Sequence, residues 1–170
     1  MRFSVEVADV EELEAGAPEE LAVENARRKA RAVATRAPDA LVLGADTVVA
    51  LGGRIHGKPA DREGARDTLR ALSGRRHIVI GGICLLDDGG VRTAAARTEV
   101  EFRELGDELI EWYLGTGEWR ERAGAYAIQG HGAALVNRID GDYLNVVGLP
   151  VATLLELEPG LLFRRRTSAS

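Results

Sequence analysis

Asp46 stands in Gly44-Ala45-Asp46-Thr47, directly after the apolar run 40–43, where a buried strand would leave its sheet. Loops at strand ends build the crevices of open α/β proteins, so a carboxylate there suits a catalytic group or a metal ligand. The plainer alternative is an aspartate capping a turn through its side chain, a frequent use of Gly-x-Asp. Twelve residues on comes Gly57-Lys58-Pro59. Pro59 fixes the backbone and Gly57 permits close approach, so Lys58 is either presented rigidly to a phosphate or is an ordinary exposed hairpin lysine. Lys29 borders a stripe of small residues, with Asn25 four positions earlier along the same flank. A lysine there can simply snorkel to solvent, and it gains meaning only if Asp46 and Lys58 converge on it. Gln129 lies in a stretch, Arg122 to Gly130, that is rich in small residues. Its amide is both donor and acceptor, so it can read a nucleobase edge or satisfy strand-end backbone groups. Asn145 and Gly148, in the tight segment 142–150, line a pocket or build a turn.

Elements must carry these residues. Phe3, Val5 and Val7 alternate with polar neighbours, which predicts a strand over 2–7. Ala22, Ala26, Ala30 and Val33 share one stripe of a helix expected from Pro18 to about Ala37, with the proline suited to its first turn. Residues 40–43 read as a short strand ending before Asp46. Val48–Leu51, Gly52-Gly53 and Arg54–His56 read as a small hairpin. Asp61 is a good N-cap for a helix to Leu72, closed by Ser73-Gly74. Strands follow over 77–86 and 91–103 around the turn Asp87-Asp88-Gly89-Gly90, then a helix over 106–114. One or two strands are expected over 125–139, interrupted by Gly130 and Gly132, and a last helix from Pro150 to about Leu157. Helices spaced among hairpins predict an α/β fold, a mixed twisted β-sheet flanked by helices.

Composition excludes several classes. The 170 residues are 45% hydrophobic and 29% charged, ordinary for one globular domain. A single cysteine, Cys84 in an apolar run, permits neither an internal disulfide nor a thiolate zinc site. His56, His77 and His131 lack metal-ligand spacing, and His77, at a strand start, reads as a strand-end hydrogen-bonder. Net charge is −5, and Arg164, Arg165 and Arg166 sit in an acid-free tail whose removal leaves −8. That body argues against nonspecific nucleic-acid binding, which needs a positive footprint. No apolar run reaches the length of a membrane span and no signal peptide is apparent, so a cytoplasmic location is expected. Walker A, Gly-x-Gly-x-x-Gly, Gly-x-Ser-x-Gly and His-Glu-x-x-His motifs are absent.

In order along nearly the whole chain come Leu21–Ala30, ending Arg28-Lys29-Ala30, then Gly44-Ala45-Asp46-Thr47-Val48-Val49 and Gly57-Lys58-Pro59. Leu72-Ser73-Gly74 with His77, Trp119–Gly130 and Gly141–Pro150 complete the series. This combination resembles the Maf family of nucleoside triphosphate pyrophosphatases. The resemblance implies a Maf or inosine-triphosphatase-like two-lobed single domain, here over 1–160, and the acid-free composition after it reads as a disordered basic tail over 161–170. It also implies hydrolysis of a nucleoside triphosphate to monophosphate and pyrophosphate with a divalent cation, Mg²⁺ or Mn²⁺. Asp46 takes the place of the family's proton acceptor, and a carboxylate there can equally hold a metal. Lys29 and Lys58 match its phosphate-contacting lysines. Glu12, in the acidic segment 9–12, matches another metal-side carboxylate. Thr47 and Gln129 match the branch preferring dTTP and UTP, and Ile128-Gln129-Gly130 disfavours an inosine triphosphate pyrophosphatase.

The family's opening strand and Ser-x-Ser-Pro-Arg-Arg loop have no counterpart in the sequence, and Met1-Arg2-Phe3 falls in what resembles the second strand. Triphosphate charge is therefore expected to rest on Lys29, Lys58 and a metal. A start codon assigned too far downstream implies normal activity. A truly shortened form implies weak turnover and a competing reading, a catalytically weak nucleotide-binding regulatory protein. A house-cleaning enzyme is the leading expectation, with a homodimer considered as its assembly.

Overall fold

The computed structural model describes residues 3–163, so the tail expected over 161–170 lies outside them from Arg164 onward. The elements in chain order are α1 (Pro18–Ala34), β1 (Val42–Leu51), β2 (Arg54–Ile55), α2 (Arg62–Leu72) and β3 (Arg76–Asp87). There follow β4 (Gly90–Phe102), α3 (Asp107–Thr116), β5 (Val136–Asp140), α4 (Tyr143–Val147) and α5 (Val151–Leu157). The strands form one sheet in the order β2-β1-β3-β4-β5. The α/β class with flanking helices holds, but every described pairing is antiparallel, where a mixed sheet was expected. Tight turns, Gly52-Gly53 and Asp88-Gly89, join β1 to β2 and β3 to β4 and enforce that direction.

Strand alternation sends Val42, Gly44, Asp46 and Val48 of β1 to one face and Ala45, Thr47 and Val49 to the other. Helix α1 covers the first face, where Leu21 and Ala22 pack with Val48 and Ile80, and Ala26 and Ala30 with Val42 and Cys84. The larger core lies on the second face, where Leu69 and Leu72 of α2 and Ile110, Tyr113 and Leu114 of α3 meet Val79, Val100 and Phe102. Each such leucine removed from water stabilises the fold by roughly 1.5–3 kcal/mol. Asp61 caps α2 as expected, its carboxylate accepting from the Gly64 N–H at 2.8 Å.

Several local expectations change. Residues 3–13 adopt no regular structure, and Phe3, Val5 and Val7 are 78%, 85% and 80% exposed. No described strand pairs with them, and alternation by itself does not make a strand without a partner to complete its hydrogen bonds. The strand expected over 40–43 instead begins at Val42 and does not break at Gly44-Ala45-Asp46-Thr47: β1 runs through to Leu51, with Asp46 opposite Gly82 and Thr47 opposite Gly81. Asp46 is therefore a mid-strand residue, neither at a strand exit nor in a turn. Helix α1 stops at Ala34. The region 125–139 forms 3₁₀ turns at 123–125 and 131–135 before β5, because left-handed Gly124 and Ala125 bend the chain away from a strand path. Helix α4, not anticipated, is anchored by fully buried Asn145, whose amide donates to the Val79 carbonyl (3.1 Å) and the Thr98 hydroxyl (3.0 Å).

Candidate active site

Close packing of α1 on the sheet brings the first candidate residues together. A Cβ on Gly44 would lie 2.2 Å from the Ala26 carbonyl oxygen, and one on Gly82 2.2 Å from the Ala22 carbonyl carbon. Only glycine opposite alanine allows this approach. It lets side chains on the flank of α1 reach a strand residue on the sheet beneath. Lys29 Nζ sits 2.6 Å from Asp46 Oδ1 and 2.7 Å from Glu12 Oε1. Asn25 Nδ2 donates to Asp46 Oδ2 at 3.3 Å.

Asn25 also fixes the irregular segment that carries Glu12. Its amide donates to the Leu13 carbonyl at 3.0 Å and accepts from the Leu13 N–H at 2.8 Å. Glu12 then bridges Lys29 to Lys58, whose ammonium lies 3.1 Å from Oε2. The result is one chain of charge, Asp46–Lys29–Glu12–Lys58, drawn from β1, α1, the N-terminal segment and the loop after β2.

A cavity of about 210 Å³ opens beside this chain. Strand β2 pairs only with Ala50 and Leu51, so the flank of β1 around Asp46 has no described strand neighbour on that side. Lys29, Asp46, Thr47, Lys58 and Gln129 all line the cavity. Thus Asp46, Lys29, Lys58 and Glu12 form a single network, and Thr47 and Gln129 face the same space. Sequence reasoning placed Asn25 beside Lys29 but gave it no role. The four-residue spacing of the two was the available signal. Arg122 and Tyr126, which also line the cavity, were not singled out.

Burial pushes the Asp46 carboxyl above the usual aspartate value, and the Lys29 hydrogen bond and charge only partly offset it while Glu12 adds repulsion. For Lys29 burial works against the charged form, but its hydrogen bonds to Asp46 and Glu12 prevail and hold it above the ordinary lysine value. Burial tends to raise Glu12 too, yet Lys29 and Lys58 together hold it low. Burial makes the Asp46 carboxylate a better proton acceptor, while the Lys29 ammonium favours its ionised form and keeps it available as a base.

Among the described residues no group of three or more His, Cys, Asp or Glu stands ready to hold a metal by itself. Glu12 and Asp46 nevertheless approach one shared cation, Lys29 Nζ, from two sides. Two hard carboxylates suit Mg²⁺, which commonly takes one or two protein carboxylates and completes its shell with phosphates and water.

His77 is not part of the site. It is 1% exposed, its Nε2 lies 2.9 Å from the Tyr126 hydroxyl, and it packs edge-on to Phe102. The hydrogen-bonding role expected for it is present, deep in the larger core.

The model of the family described as Maf-like protein matches residues 1–158. The chain belongs to the Maf-like family. A relative named dTTP/UTP pyrophosphatase from Pyrococcus horikoshii is 49% identical over 81% of this chain and 74% of its own length. The protein of that name from Symbiobacterium thermophilum is 48% identical over 91% and 81%, and that from Anaeromyxobacter dehalogenans 47% over 97% and 84%. In this Maf-like chain the carboxylate network and the cavity lie within residues 1–158, which the family model matches. No helix among the described residues is long and apolar enough to cross a membrane.

Proposed function

We propose that this chain hydrolyses dTTP and UTP to the monophosphate and pyrophosphate. The observation that carries the reading is Asp46, a buried carboxylate with a raised pKa that lines a cavity and is held by Lys29, in a chain half identical to enzymes of that name. Water attacks the α-phosphorus, the bond to the bridging oxygen of the β-phosphate breaks, and pyrophosphate leaves. Asp46 accepts the proton that water loses. Lys29 and Lys58 stabilise the charge that shifts onto the departing phosphates. Thr47 and Gln129 face the base, and the Gln129 amide matches the adjacent acceptor and donor of a uracil or thymine edge.

Glu12 and Asp46 would hold a divalent cation, Mg²⁺ or Mn²⁺, which when bound supplies charge neutralisation of the phosphates. Clearing nucleotide pools fits a cytoplasmic protein with one buried, unpaired cysteine, and a homodimer is the assembly to test by light scattering.

The test of the reading is turnover by purified protein with Mg²⁺ or Mn²⁺ and a panel of triphosphates, scored for pyrophosphate and monophosphate. dTTP and UTP are expected to lead the panel, and Asp46→Asn to abolish release. Equal turnover of wild type and Asp46→Asn overturns the assignment of Asp46. A purine preference overturns the roles of Thr47 and Gln129.

A further inference from the structure

Among the described residues, the basic ones lining the cavity are Lys29, Lys58 and Arg122. The two lysines are already neutralised in the free protein: Lys29 contacts both Asp46 and Glu12, and Lys58 contacts Glu12. No described carboxylate lies within 4.0 Å of the Arg122 guanidinium, although Glu121 is its chain neighbour. An incoming polyanion must compete with carboxylates for either lysine, whereas Arg122 meets it with no ion pair of its own to break, although Glu121 also lines the cavity.

The backbone holds Arg122 in register with Lys58. The Gly124 N–H donates to the His56 carbonyl at 2.8 Å and to the Gly57 carbonyl at 3.3 Å, tying the loop of one cation to the loop of the other. Gly124 has φ +70, and a Cβ there would lie 2.9 Å from Val49 Cγ1. Glu121 and Ala125, on either side, are also left-handed at φ 58 and 60. Such conformations cost of order 1–3 kcal/mol each and persist where surrounding structure imposes them, typically at ligand sites.

We infer that Arg122 is the residue that first captures the phosphate tail of the substrate, gripping phosphate oxygens through its planar guanidinium while Lys29 and Lys58 are still held by carboxylates. This rests on the pyrophosphatase reading for the identity of the substrate, and on the cavity alone for the polyanion.

Arg122 is exposed and its side chain makes no hydrogen bond within the described protein, so its variants are expected to fold. Thermal shifts with inorganic tripolyphosphate and with thymidine are to be measured for wild type, Arg122→Ala and Arg122→Lys, alongside dTTP kinetics. Arg122→Ala is expected to lose most of the tripolyphosphate response, keep the thymidine response, and raise KM for dTTP about ten- to a hundred-fold, with a smaller effect on kcat. Arg122→Lys should restore part of it. An unchanged KM, a wild type indifferent to tripolyphosphate, or a thymidine response lost as fully as the tripolyphosphate one overturns the inference. If wild type answers to tripolyphosphate through Arg122 but hydrolyses no triphosphate, Arg122 stands and the pyrophosphatase reading falls.

Discussion

Gly44 is where packing and chemistry can be separated by a single methyl group. In Gly44→Ala the new Cβ would sit 2.2 Å from the Ala26 carbonyl oxygen and 2.8 Å from the Ala30 nitrogen, both backbone atoms of α1. Ordinary contact begins near 3.4 Å, so the helix must retreat by about 1.2 Å at that point. Overpacking against backbone costs about 1–3 kcal/mol. For a domain of this size that lowers Tm by roughly 2–12 °C. Moved rigidly, the helix would carry Lys29 out of its 2.6 Å contact with Asp46 and loosen the Asn25 bond as well. A displacement near 1 Å can cost about a hundredfold in rate. The opposite sign is expected at Gly115, an exposed residue near the end of α3 with open space around its absent Cβ. Gly115→Ala should gain roughly 0.5–1 kcal/mol from helix propensity. Urea unfolding followed by circular dichroism gives both stabilities, and pyrophosphate release gives kcat. A Gly44→Ala protein as stable and as active as wild type would refute the claim that close approach of α1 builds the site.

Two further outcomes follow from charge and burial. If Asp46 accepts the proton, kcat/KM falls as pH drops through its pKa, which burial places above the ordinary aspartate value; in Lys29→Met the acid limb should move to still higher pH and turnover should fall, because Glu12's repulsion remains uncompensated, and an unmoved limb counts against the coupling. His77 is pushed down to about 4 by burial, so it stays neutral in the fold while the unfolded chain takes up a proton near pH 6.5. Its contribution to stability is therefore complete above pH 6.5 and declines as pH falls to about 4, a loss of roughly 3 kcal/mol. NMR titration of the imidazole with unfolding curves at both pH values checks this, and a His77 resonance titrating near 6.5 would contradict it.

Local pattern was enough where a segment's neighbours in sequence are also its neighbours in space. The alanine stripe of α1, the Asp61 cap of α2, the Gly52-Gly53 turn and the β3–β4 hairpin depend on interactions a few residues apart, and all could be read directly. The chemical residues were legible for a related reason. Asp46, Lys58 and Gln129 stand in short segments with a glycine close by, and Lys29 lies on the flank of the alanine stripe four residues after Asn25.

Long-range contacts decided the rest. Asp46 looked like a turn or strand-end residue because an aspartate inside a continuous strand buries a charge. That burial is tolerable only because Lys29 and Asn25, 17 and 21 residues away, meet it from α1. Asn145 looked like a turn builder for the same reason, since its partners lie on β3 and β4. The alternating residues 3–7 pair with no described strand, because a strand depends on a partner far away in sequence that its own pattern does not specify. Residue types alone determined which groups can carry charge and protons. Tertiary structure decided that both lysines are ion-paired before substrate arrives and that Arg122 has no described carboxylate within 4.0 Å, because the distances between charges are set by how helix, strand and loop pack.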